Sequence, residues 1–514
     1  AEVERALRIA KQVGFNVLSI QYTSLSHASQ LVDFLERARR HGMTVNLFIT
    51  AAHPFGFDPQ LLRQLIEAAR IPQWGNIFAY DIAWEPAWGT HAERKRFDPA
   101  WREWIVEQYG SIENAERDWG YALPREEGVP TNPTDEQILN DGEWRRMVAA
   151  YRRFLDDHVN RAYWRVVKFI RSLDGRHLIG VRTGYGGNGS PWADYRMPYD
   201  LLAGAPFLDF VSPEGYSLTE NWQNFRAGGF ITAYARWAGN GKPVFWAEFG
   251  ASIYPDTTPE RIAYQRSVYE WMYRMVEESR ADGSAGWWFP GGYRTTENSD
   301  FGIIHPDGTL RPAARVAQQW TNRLAQIPLQ TDDREVHVIT FDRDLHPRGF
   351  SQVWARHRDE YLKAVEAGKR VELRTEGTGT TSENVPLVAV GNVPCNGSNP
   401  PKYLNAQILQ VEAIDAQGGA SEVESEQPLP PDTRLLRVTV MNTGEATWVP
   451  AGKRRVELAT SWGERKVVEK PVARYAITLF EIPFVAHTQP AAIRLQLVTE
   501  EGKIVPFGER RLLK

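Results

Sequence analysis

IFAYDIAWEP (77–86) and PVFWAEFG (243–250) decide the fold. Each is a short apolar run that carries a glutamate at or near its end, Glu85 in the first and Glu248 in the second. Strands without polar alternation are buried on both faces, as in a parallel sheet covered by helices. Working outward, the same kind of run recurs at FNVLSIQ (15–21), TVNLFIT (44–50), HLIGVRT (177–183), LDFVSP (208–213) and AGWWF (285–289). Helical periodicity separates these runs. In residues 2–13, Val3, Leu7 and Ala10 share one face and Gly14 stops the helix; residues 29–41 and 59–70 read as helices too. Repeated strand–helix units predict an α/β protein, a (β/α)8 barrel. Seven strands are counted where such a barrel needs eight, and the order opens on a helix, so the first strand is absent from the chain on this reading. A doubly wound sheet would carry a GxGxxG loop after its first strand; none follows a strand here, and GYGGNGS (184–190) reads as a loop.

The regular spacing breaks twice. Residues 86–140 form a long excursion with helices expected at 98–109 and 111–118 and a Pro-rich stretch at 121–133. Long loops of a barrel shape its substrate cleft. After about residue 327 the helical rhythm gives way to alternating strands with Gly, Asn and Pro between them, interrupted by one helix at 352–367. ASEVESEQPLPPD (420–432) reads as a linker. The expected domains are a barrel over 1–327 with insertion 86–140, a mainly β accessory region over 328–430, and an immunoglobulin-like β-sandwich over 431–514.

Composition narrows the function. The chain has 514 residues and a net charge of −4, from 60 basic and 64 acidic residues, which offers no basic field for nucleic acid. No apolar run is long enough to cross a membrane. AEVERALRIAKQVGF at the N-terminus is not a signal peptide, because acidic and basic residues interrupt it, and a secreted or periplasmic setting is only slightly favoured. Cys395 stands alone, which excludes an internal disulfide and a Cys-based zinc site. No His/Asp/Glu spacing resembles a metal site, HExxH is absent, and no cofactor is expected. The 19 Trp serve either as stacking platforms for rings or as large core residues.

In a barrel, the C-terminal ends of the strands form the active-site face, so Glu85 and Glu248 project into one mouth from strands three apart. Two facing carboxylates are what glycosidic cleavage needs: one protonates the leaving oxygen, the other attacks the anomeric carbon or activates water. The competing reading is two surface glutamates. Glu248, between Trp246, Ala247 and Phe249, sits in an apolar setting where Glu is rare unless paired or functional.

These features, with FGIIHPDGTLRPAARV (301–316) after an aromatic-rich last strand, resemble the clan A glycoside hydrolases, retaining (β/α)8 enzymes. FDPAWREWIVEQYGSIENAERDWG (97–120) is similar to a piece of the family 42 β-galactosidases. The resemblance covers about residues 1–325. It implies Glu85 as general acid/base, its pKa raised by Trp84, Pro86 and Trp88, and Glu248 as nucleophile. It implies that Tyr216 bonds the nucleophile and that Trp287 or Trp288 floors the sugar subsite. Two positions depart from the clan: Trp84 stands where Asn is usual before the acid, and Ile20-Gln21 ends a strand that usually ends in Arg, leaving Arg182 to supply a cation.

Glu214 shares the face of Tyr216, as a sugar contact or a rival catalytic carboxylate. His53 is a sugar contact or a simple loop residue, and Asp81 is expected to pair inside the barrel. Trp88, Trp192, Trp222 and Tyr293 are loop aromatics placed to stack on further rings or to pack. The reading is a retaining β-glycoside hydrolase acting on oligo- or polysaccharide. The rivals are an endo-acting β-glycanase and a non-catalytic carbohydrate-binding barrel. The open barrel edge also allows a homo-oligomer or a second chain to complete it.

Overall fold

The computed structural model describes all residues except 185–195, 217, 328–331, 346, 392, 395–400, 425–427, 486–490, 499–501, 503 and 513–514. Trp192, Cys395 and most of the 184–190 loop therefore lie outside the described residues. The chain forms two compact units, one of residues 1–88, 162–339 and 350–373, the other of residues 89–161, 340–349 and 374–514.

The first unit opens on helix Glu2–Val13, which ends at Gly14 with φ 95°. That left-handed angle suits glycine, which has no Cβ to crowd the backbone. Thr321 Oγ1, on helix Pro312–Leu324, donates to the Val13 carbonyl at 2.7 Å and ties the two helices together. Strands Val17–Gln21, Thr44–Phe48, Ile77–Trp84 and Leu178–Arg182 then pair in that order, all parallel. Helices Ala28–Arg40 and Pro59–Ala68 make the crossovers between the first three; Asp58 caps the second helix by accepting Leu61 N at 2.9 Å. No further parallel strand intervenes within 86–176, so Ile77–Trp84 pairs directly with Leu178–Arg182 among the described residues.

Beyond Arg182 the sheet continues in a looser form. The expected strands 208–213, 243–249 and 285–289 are represented by single parallel bridges, Thr183 with Pro213, Val211 with Val244 and Glu214 with Glu248, and by the short pair Phe245–Trp246 with Gly283–Ser284. The segments keep their parallel order, with bends at 209–210 and 287–289, but the continuous ladders expected from the apolar runs are absent among the described residues. A core of Ala79, Phe210, Phe245 and Ala247, with Phe78 and Ala285 against it, fills the interior these segments enclose. Residues 244–249 are all buried, whereas Val17–Gln21 and 283–289 are partly exposed. Phe15 and Phe289 meet edge-on at 5.7 Å, yet no ladder joins these two segments among the described residues.

The second unit corrects the expected domain boundaries. Ala406–Ile414 pairs with Leu435–Asn442 across residue 430, so a boundary there would cut a sheet. The stretch read as a linker begins with edge strand Ala420–Glu422. Two antiparallel sheets result: 420–422, 406–414, 435–442 and 477–483 in one, and 465–467, 456–460, 491–498 and 504–512 in the other. Their alternating apolar residues, among them Val438, Trp448, Leu458, Ile482 and Leu495, share one core. The 86–140 excursion, expected to belong to the barrel, joins this unit from Gly89 onward. Its helices Asp98–Tyr109 and Ile112–Trp119 carry Trp101, which stacks with Trp104 at 5.5 Å and Trp119 at 5.9 Å and packs on Tyr151 and Phe154. These three indoles are core residues.

Candidate active site

Glu85 follows strand Ile77–Trp84, and its backbone N–H donates to the Arg182 carbonyl at 2.9 Å. Its φ is 46°. A left-handed angle costs a residue with a Cβ about 1–2 kcal/mol, so neighbouring structure holds it there. Gly184 leaves the necessary room: a Cβ at this position would fall 2.7 Å from the Glu85 Cβ and 3.0 Å from its Cα. Glu85 is exposed. Trp88, expected beside it, is instead buried against Phe55 and Tyr199.

Glu248 is buried, 3% exposed, and is held from two sides. Arg182 Nη1 donates to its Oε1 at 2.5 Å, and the Tyr216 hydroxyl donates to its Oε2 at 2.7 Å. The Tyr216 contact is the one its place in the sequence implied. Burial, followed by the charges of Glu248 and Glu214, pushes the Tyr216 phenol well above its usual range, so it keeps the proton it donates. Burial likewise raises Glu248, to about 7, against the lowering effects of Arg182 and Tyr216.

Arg182 is a fork. Its Nη2 and Nε reach Asp81 Oδ2 at 2.7 and 3.1 Å, while Asn46 Nδ2 approaches the same oxygen at 3.4 Å. Burial pulls Arg182 down, but Asp81 and Glu248 outweigh it and hold it above its ordinary value. Burial raises Asp81 even with Arg182 beside it. Asp81 pairs inside the unit, as expected. The guanidinium also lies 4.6 Å over the Trp84 ring, which meets Phe48 and Trp287 edge-on at 5.3 and 5.4 Å. Trp84, unusual in this position, thus forms an aromatic wall against the cation.

Glu214 is the third carboxylate, 1% exposed and bridged to Glu248 along the backbone. Among the described residues neither of its oxygens meets an N–H or O–H donor; the group it faces is the Glu85 carboxyl. One oxygen each from Glu85, Glu214 and Glu248 lies within 4.8 Å of the others. Burial first, then the charges of Glu248 and Glu85, drive Glu214 well above the carboxylate range. Carboxylates at this spacing can chelate a cation, but Arg182 already neutralises Glu248.

The remaining candidates separate. Trp287 and Trp288 lie beyond the Gly283–Ser284 ladder, so strand alternation does not set them on opposite faces; Arg294 covers both rings, at 4.9 and 4.6 Å. His53 ends a short helical turn, and its Nδ1 accepts Phe55 N–H at 3.3 Å, the loop role. Tyr293 is exposed, with its hydroxyl on Asn298 Oδ1 at 2.8 Å and its ring against Tyr254. Trp222 is flanked by the guanidiniums of Arg274 and Arg226 at 4.1 and 5.8 Å. Gly184 and Asn46 carried no sequence signal of their part here, because each acts through a neighbour remote in sequence, Glu85 and Asp81, and Arg294 stood in a loop with no pattern to mark it.

No family model and no curated protein sequence matches the chain. Solved structures do. A β-galactosidase from the Antarctic haloarchaeon Halorubrum lacusprofundi superimposes with a TM-score of 0.54 at 14% identity, over 93% of this chain and 97% of that one. The cold-adapted β-galactosidase from Rahnella sp. R3 gives 0.54 at 10% identity, over 94% and 96%. A family 42 β-galactosidase from G. stearothermophilus gives the same figures. The chain therefore has the fold of the clan A glycoside hydrolases, a TIM barrel followed by antiparallel sheets. Its structural likeness to the family 42 β-galactosidases runs over nearly the whole chain.

Proposed function

We propose that the chain is a retaining β-glycoside hydrolase with Glu248 as nucleophile and Glu85 as general acid/base. The observation that carries this is the pair itself: two carboxylates at the ends of segments three apart, with oxygens within 4.8 Å. That spacing suits direct attack on the sugar, whereas inverting enzymes hold their carboxyl groups roughly 6.5–9.5 Å apart to admit a water between them. Arg182 and Tyr216 orient Glu248 and favour its ionised form. In the first step Glu248 attacks the anomeric carbon and Glu85 protonates the departing oxygen, leaving a glycosyl ester on Glu248. Water then enters, Glu85 takes its proton, and the ester opens with net retention. Trp84 and Trp287 supply an aromatic wall beside the carboxylates for the apolar face of the ring.

Because the matched structures are β-galactosidases, β-galactosides head the substrate panel. The test sets aryl β-glycosides of several sugars, and β-linked polysaccharides, against the wild type and Glu248→Ala. A 2-deoxy-2-fluoro glycoside of each sugar is used to trap the ester. Turnover lost in Glu248→Ala and a mass adduct on Glu248 are expected. Adduct formation on another residue, or no turnover and no adduct with any sugar, refutes the assignment. Internal cleavage of polysaccharide in preference to the small glycosides would move the reading to an endo-acting glycanase.

A further inference from the structure

Glu214 has no role in the two-carboxylate scheme, yet it is the most buried of the three glutamates and has no donor partner. The groups that face it are Glu85 at the end of strand Ile77–Trp84, Arg182 on Leu178–Arg182, Tyr216 two residues on, and Glu248 from the neighbouring segment. Among the described residues one cation, Arg182, serves this group, and its guanidinium is already divided between Asp81 and Glu248. Tyr216 donates to Glu248 and not to Glu214. An ionised carboxylate buried this deeply beside two others, without a cation or donor of its own, is strongly disfavoured. Two carboxyl groups in contact are stable when one holds a proton between them, and Glu214 is the one that lacks every other means of compensation.

We propose that Glu214 is a positioning residue that acts through Glu85, storing the proton that Glu85 delivers. This rests on the glycosidase reading. In the resting site Glu214 is a neutral acid whose O–H donates to the Glu85 carboxylate. When Glu248 attacks, the bond from the anomeric carbon to the leaving oxygen breaks and its electron pair goes to that oxygen. The proton of Glu214 moves onto Glu85, which hands it to that oxygen and is left a carboxylate again. Glu248 has meanwhile become a neutral ester, so the negative charge it loses reappears on Glu214 and the total charge is unchanged. In the second step water attacks the anomeric carbon, the ester bond returns its electrons to Glu248, and the water's proton travels through Glu85 back to Glu214. The nucleophile's own change of charge thus gates the release and recovery of the proton.

The test uses the full chain with Glu214→Gln, which keeps the shape and an N–H donor toward Glu85 but has no proton to give. Infrared difference spectra at pH 7 read the proton directly, without turnover. A protonated-carboxyl band in the wild type that is missing from Glu214→Gln, and that diminishes when Glu248 is trapped as its fluoroglycosyl ester, is expected. No such difference overturns the proposal even if the protein is a glycosidase. With any sugar that the wild type hydrolyses, kcat/KM is then followed along a series of aryl leaving groups. Glu214→Gln should lose about 100-fold or more on poor leaving groups, the range general-acid catalysis supplies, and little on dinitrophenyl glycosides. Parallel losses across the series would mean a structural role only. Loss of wild-type activity on chelation would mean that a cation, not a proton, occupies the trio. If Glu214→Gln does not fold, Glu214→Asn takes its place in the same spectra. Absence of turnover and of trapping with every sugar would refute the glycosidase reading itself, a result distinct from an unchanged spectrum.

Discussion

Tyr216→Phe is the most informative single substitution on the nucleophile. It removes one hydroxyl and keeps a ring of the same outline, so the edge contact with Phe301 at 5.9 Å is retained. What is lost is a 2.7 Å bond to the ionised form of Glu248. A hydrogen bond to a charged group contributes about 1.5–3 kcal/mol, and a shift of one pH unit corresponds to about 1.4 kcal/mol. The Glu248 value, about 7 in the intact site, should therefore climb by roughly 1–2 units. At pH 7 the ionised fraction would fall from about half to between roughly one tenth and one hundredth, a loss of about 5- to 50-fold in nucleophilic rate. The assay is the pH dependence of kcat/KM, or of the rate of inactivation by a fluoroglycoside, between pH 5 and 10. The acid limb should move upward, and the two enzymes should converge at high pH. A uniform loss with an unmoved acid limb would show that Tyr216 does not hold the charge on Glu248.

Gly184→Ala places a methyl 2.7 Å from the Glu85 Cβ; displacing the acid by about 1 Å should cost on the order of 100-fold in kcat on poor leaving groups, with melting temperature little changed. An unaffected kcat would mean that Glu85 has slack. Arg182→Met strips Asp81 and Glu248 of their shared cation and should destabilise the protein by about 3–5 kcal/mol, read by urea unfolding at neutral pH. Glu214→Gln should alter the pH dependence of stability. The folded value of Glu214 lies above the unfolded value of about 4.3, so the folded state binds more protons between the two. Wild-type stability is then greatest below about pH 4.3 for this group and falls as pH rises, by up to about 1.4 kcal/mol per unit. Glu214→Gln should lose that slope and be the more stable protein at pH 7; an identical slope would contradict the assignment. In hydrogen exchange, the amides of partly exposed Val17–Gln21 should exchange before those of Thr44–Phe48, and equal protection would show the edge to be covered in solution.

Much of the first unit was legible because its early strands are local, strongly patterned and bounded by glycine. Residues 77–84 there, and 98–109 in the second unit, form the elements expected of them. Glu85, Arg182, Tyr216 and Glu248 were legible for a related reason: each lies at or just beyond the end of an apolar run, where barrel geometry brings side chains together. The later runs misled in degree, since extended chain rich in aromatic residues looks the same whether it ladders or makes single bridges. Trp88 stood between stacking on a sugar ring and packing, because its neighbours Phe55 and Tyr199 are distant in sequence. The boundary at 430 failed because a polar, Pro-rich stretch suggests a linker even where strands on either side of it pair. The state of Glu214 had no local signature, since it arises from charges supplied by three other segments.

The order of segments in the second unit has a consequence for synthesis. Residues 89–161 belong with strands as late as Ile504–Leu512, and helix Asp98–Tyr109 packs directly on that last strand. On a ribosome adding about 5–20 residues per second, the early segment would wait roughly 20–70 s for its partner. During that interval Trp101, Trp104 and Trp119, buried in the finished protein, lack part of their final enclosure. The segment is thus the natural client for a chaperone on the nascent chain, and expression at lower temperature or with added holdase should raise the soluble yield more than any change to the catalytic residues.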